Sequence, residues 1–271
     1  MSLVLRVGLF VLIVTLTWMF LPLIIYPIAG YYAVAALSVF GAGTISNAIV
    51  YRIYERGSLM DAGLEWTAAS RRNLMLGIGL GVGFGIVIVL ALVVTGLARF
   101  EPPGPVSWPS LAFVTVVLLF GAVGEELMFR GYGFQTLTLK AGKFATLLPM
   151  AIIFGAVHMG NVGATPLSVI NTVLWGGLLG YATLKSRGLW MPIGIHYGWN
   201  WILPMLGANL SGFNMGVTGL QLKAAETSLA GGAYGPEGSL VLTLLLPGLF
   251  YLISRMTIPP QQALLLRTLE D

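Results

Sequence analysis

Two adjacent carboxylates and a guanidinium, Glu125, Glu126 and Arg130, lie in GAVGEELMFRGYG (121–133), and no charged residue stands between Glu101 and Glu125. The chain has only two histidines, His158 in FGAVHMGN and His196 in GIHYGWNW. Phe154 precedes His158 by four residues and Asn200 follows His196 by four, so each pair shares a helix face. A carboxylate and an imidazole can together deprotonate a water. A second imidazole and an amide NH₂ can donate hydrogen bonds to the oxyanion of a tetrahedral intermediate. Glu125, His158, His196 and Asn200 are therefore an apparatus for amide hydrolysis by activated water. No covalent nucleophile is evident, since cysteine is absent and there is no G-x-S-x-G. Zinc hydrolysis is the alternative, because Glu125, His158 and His196 could ligate the ion with a water in the fourth position. However, H-E-x-x-H is missing and the histidines fall on different helices, so a metal-free site without a cofactor is favoured.

These charges need a reason to be where they are. A charged side chain at the centre of a membrane helix costs about 2.5–3.5 kcal/mol on insertion scales. Glu126 and Arg130 are four apart in the favourable order, so an ion pair accounts for both. Glu125 lies about 100° round the helix from Glu126 and has no partner on its own helix. An ionisable residue of this kind inside a membrane is a functional candidate when partners can be named. The two histidines are those partners.

Composition explains why the setting is a membrane. The 271 residues are 57% hydrophobic and 9% charged, against about 25% charged in soluble domains. Mean hydropathy is +0.88. The net charge of +4 is spread over connections, which gives no footprint for nucleic acid. Apolar runs of about 20 residues predict an all-α bundle of about eight transmembrane helices. They fall at roughly 5–28, 30–51, 73–97, 109–131, 144–160, 167–184, 191–207 and 238–256. The first is longer than a signal-peptide core and is expected to remain as a helix. Without a charged or Pro/Ser-rich linker, 1–271 reads as one integral-membrane domain with its motif core at about 110–206.

Basic residues set the orientation. Arg52, Arg56, Arg71, Arg72, Lys140, Lys143, Lys185, Arg187, Arg255 and Arg267 fall on alternate connections, and the others hold only Arg99 and Lys223. The basic connections and both termini are expected in the cytoplasm. The segment 52–72 is then an interfacial connection on that side. The glycine-rich loop 208–237 faces outward, as a lid or a connector. Gly77, Gly81 and Gly85 have the small-xxx-small spacing of close helix packing rather than of a phosphate loop. At 1.5 Å per residue Glu125 and His158 lie roughly 21 Å from the cytoplasmic end, whereas His196 is about 9 Å and Asn200 about 15 Å deep. Either span four leaves the membrane near Arg130 or span seven starts deeper. A cavity between tilted or broken helices, opening toward the cytoplasm, is the expected solution.

EELMFR (125–130), FGAVH (154–158) and HYGWN (196–200) match E-E-x-x-x-R, F-x-x-x-H and H-x-x-x-N in order. In this the chain resembles the CAAX-protease and bacteriocin-processing family, also called type II CAAX prenyl endopeptidases. The resemblance implies an intramembrane endopeptidase in which Glu125 and His158 activate water, His196 and Asn200 stabilise the oxyanion, and Glu126 and Arg130 support them. It implies as partners a hydrophobic or lipidated peptide or protein and membrane lipid. Other family roles leave a non-catalytic scaffold or bacteriocin-immunity protein as an alternative. A transporter using the carboxylates as a proton relay is another, although no second E-E-x-x-x-R-like half is present.

Overall fold

The computed structural model describes residues 2–267 as an all-α bundle. Helix α1 (Leu3–Val50) contains two of the expected spans, divided at Gly30, where φ is 70° and ψ 171°. Pro22 and Pro27 lie just before this bend, which only glycine adopts without strain. Helices α2 (Ala68–Val94), α3 (Trp108–Arg130), α4 (Tyr132–Ala141), α5 (Lys143–Val157), α6 (Pro166–Ser186), α7 (Trp190–Met205) and α8 (Leu240–Arg255) follow. Six helical stretches are long and apolar enough to cross a membrane: Leu3–Ile28, Gly30–Glu55, Ala68–Val94, Trp108–Ala141, Lys143–Gly160 and Pro166–Ser186. The other two expected spans are the 16-residue α7 and α8, each about 24 Å long. Span four does not end at Arg130. It breaks at Gly131 and resumes as α4, and the Asn47 side chain bridges the break, donating to Leu127 O at 2.9 Å and accepting from Tyr132 N at 2.7 Å.

Glycine sets the closest helix contacts. A Cβ at Gly77, Gly81 or Gly198 would stand 2.4, 2.2 or 2.6 Å from the Met191, Ile195 or Ile78 carbonyl, so α2 and α7 touch backbone to backbone. A Cβ at Gly124 would lie 2.4 Å from Phe40 N, which seats α3 equally close to α1. The first half of α1 differs, with only 6% of its apolar window buried against 50% for the second half. It is held at its base, where Arg6 pairs with Glu55 and Phe10 is buried against Tyr132.

The basic face is closed by chain. Residues 256–267 run back beneath the helices, with Gln261 N donating to Ser186 O, Leu264 N to Asp61 O and the Gln261 amide to Gly63 O. Leu189, fully buried, donates its N–H to Gly63 O, so α7 starts beneath this cover. The opposite face carries a feature the periodicity did not foretell, a two-stranded antiparallel sheet of β1 (Ala98–Phe100) and β2 (Leu222–Ala224).

Candidate active site

Two helices and one helix end bring the motif residues together. α3 carries Glu125, Glu126 and Arg130; α5 ends on Phe154 and His158; α7 carries His196 and Asn200. Gly124, beside Glu125, gives α3 its close seat on α1, and Gly194 and Gly198, flanking His196, do the same for α7 on α2. The site thus rests on backbone contacts that side-chain rotation cannot loosen.

Glu125 Oε2 lies 3.9 Å from His158 Nε2 and 3.8 Å from His196 Nε2. The other nitrogen of each ring is anchored. His158 Nδ1 donates to the Phe154 carbonyl at 2.7 Å, a last-turn carbonyl of α5. A carbonyl can only accept, so Nδ1 carries a proton and Nε2 is the nitrogen turned toward Glu125. His196 Nδ1 donates to Glu126 Oε1 at 2.8 Å, and the same oxygen accepts from Arg130 Nη1 at 3.0 Å. Glu126 is therefore more than the ion-pair partner of Arg130; it also orients His196, a link of 70 residues that spacing did not reveal. Arg130 is buried, donates to Gly176 O at 3.1 Å and lies 4.3 Å from the Phe154 ring centroid. The Phe154 ring also stacks on His158 at 4.7 Å. One phenylalanine thus supplies a carbonyl to one histidine and a face to the arginine.

A cavity of about 400 Å³ joins Glu125, His158, His196 and Asn200. Glu126 and Arg130 lie behind its wall. From Glu125 it extends past Asn161 and Thr172 to Ser211, Phe213 and Glu237. Loop 208–237 therefore lines the site, and it does so from the face opposite the basic connections. Glu237 is a residue that motif spacing missed. Its Oε1 accepts from Trp199 Nε1 at 3.0 Å, and its Oε2 accepts from the amide and hydroxyl of Ser211. No local signal in the sequence marks it.

Glu125, His158 and His196 are the residues that would hold a zinc ion. Two ligands at 2.0–2.1 Å from a tetrahedral zinc are about 3.3 Å apart, against the 3.8 and 3.9 Å found here. Among the described residues no group of three His, Cys, Asp or Glu is arranged to hold a metal ion.

Fold and site define a polytopic membrane bundle with a carboxylate–imidazole cavity inside it. Residues 107–202 match the model of the Rce1-like family, type II CAAX prenyl endopeptidases, a family of membrane peptidases. The matched stretch contains every motif residue from Glu125 to Asn200, so the resemblance stands at the level of the family. Comparison with curated proteins and with solved structures returns no match.

Proposed function

We propose that this protein is an intramembrane endopeptidase that hydrolyses a peptide bond of a membrane-associated or lipidated substrate by metal-free water activation. The observation that carries this is one carboxylate oxygen, Glu125 Oε2, facing two anchored imidazoles in a cavity that also holds Asn200. Glu125, with His158 Nε2 beside it, takes a proton from water as the hydroxide oxygen bonds to the scissile carbonyl carbon. The carbonyl oxygen becomes an oxyanion that accepts from the Asn200 amide and from His196. For His196 to donate through Nε2 while Nδ1–H is held by Glu126, the ring must be imidazolium, flanked by Glu125 and Glu126. Collapse of the intermediate breaks the C–N bond, and the proton on Glu125 passes to the leaving amine.

The deciding experiment compares peptide termini in membranes from cells with wild-type protein and with Glu125→Gln at matched expression. Loss of defined termini in the variant is expected, and the lost fragments identify the substrate. Identical termini with an unchanged cellular phenotype overturn the hydrolase in favour of a scaffold. A chelator added to the purified enzyme is expected to leave turnover unchanged; loss that zinc restores assigns the site to metal. We further propose that the basic face, with both termini, is cytoplasmic.

A further inference from the structure

The cavity has a charge pattern that the water-activating residues do not explain. Besides the two imidazoles, its charged lining consists of two carboxylates, Glu125 and Glu237, and among the described residues no lysine or arginine reaches it. Arg130 is buried behind the wall and committed to Glu126 and the Gly176 carbonyl. Glu237 has three hydrogen-bond donors, an indole N–H, a backbone N–H and a hydroxyl, and all are neutral. They hold the carboxylate in place without compensating its charge. Trp199 ties it to the face of α7 that carries His196, three residues away, so Glu237 sits close along the cavity from the reacting centre.

One wall of the cavity, between α1 and α3, is apolar and small. Ala35, Ala36 and Val39 of α1 face Val117, Leu118 and Gly121 of α3, and a Cβ at Gly121 would meet only Ala36, at 3.9 Å. This wall suits an apolar chain in an extended or helical form. A basic side chain at the loop end would meet an uncompensated carboxylate. Membrane segments commonly end in such a residue, its stem in apolar surroundings and its head at the interface.

We infer that the substrate segment seated here is apolar and places a lysine or arginine beside Glu237. This rests on the hydrolase reading and makes Glu237 its specificity-determining residue.

The test uses the full chain in detergent or proteoliposomes with apolar leucine–alanine peptides of about 20 residues, long enough to span a bilayer. Each carries one lysine, norleucine or glutamate at a scanned position. Affinity and kcat/KM are read for wild type, Glu237→Gln, Glu237→Asp and Glu237→Lys. At one position wild type is expected to prefer lysine over norleucine by about tenfold and to disfavour glutamate. Glu237→Asp keeps the preference, Glu237→Gln brings it near unity, and Glu237→Lys reverses it toward glutamate. Charge reversal rescued by the opposite peptide is a result that mere loosening of the loop does not produce. Cleavage that depends on Glu125 but shows the same charge preference in all four proteins overturns the inference and leaves the hydrolase standing. A Glu237-dependent lysine preference in affinity without any cleavage keeps the cavity's selectivity and overturns the hydrolase. Absence of both binding and cleavage overturns the two together.

Discussion

At the scale of single residues, the two adjacent glutamates have opposite duties although they differ by one position. Glu126 is fully buried and shared by Arg130 and His196. Glu125 remains about a quarter exposed and faces the cavity. Removing Glu126 leaves a buried guanidinium unpaired, so Glu126→Ala is expected to destabilise the protein by about 3–5 kcal/mol. Glu125→Gln is expected to keep stability within about 1 kcal/mol while lowering turnover by about 10²–10⁴-fold. Thermal unfolding of the two variants in one detergent, with turnover measured beside it, separates them. A Glu126→Ala protein as stable as Glu125→Gln contradicts the arrangement. The Glu126–Arg130 pair was legible because both ends lie on one helix turn. The bond from Glu126 to His196 was not, because it joins residues on helices that only tertiary packing brings together.

At the scale of elements, small residues decide where the helices that carry the candidate site stand. Every fourth residue from Gly77 to Gly85 is glycine, and that spacing predicted a close helix contact. Its partner was not readable, and it turns out to be α7, the helix that carries His196 and Asn200. Gly81→Val puts a side chain into the Ile195 carbonyl and is expected to cost about 1–3 kcal/mol. It moves α7 and lowers turnover as well. Gly79 lies on the same helix with nothing within 4 Å of its would-be Cβ. Gly79→Ala should change stability by no more than about 1 kcal/mol and keep turnover near wild type. Equal effects of the two substitutions on unfolding temperature and rate would show that α2 does not position the site.

At the scale of the whole molecule, residues 256–267 and the connection around Gly63 pack together on the basic face, and loop 208–237 lines the site from the other. The chain has no native cysteine, so single introduced cysteines report sidedness directly. A cysteine in place of exposed Thr227 is expected to react with an impermeant maleimide from outside the cell. One in place of exposed Arg72 is expected to react only after permeabilisation. The reverse pattern inverts the orientation, and labelling of both from one side breaks the span arrangement.

The sequence by itself determined the solvent, the helix count and the identity of the charged and imidazole groups inside the spans. Those follow from the cost of placing polar groups in hydrocarbon, which acts on each segment separately. The bend at Gly30, the partner of each imidazole's second nitrogen, the start of α7 below the surface and the place of Glu237 in the cavity were decided only by tertiary structure. Each depends on contacts between segments far apart in the chain, and hydropathy and local spacing carry no record of which helices approach.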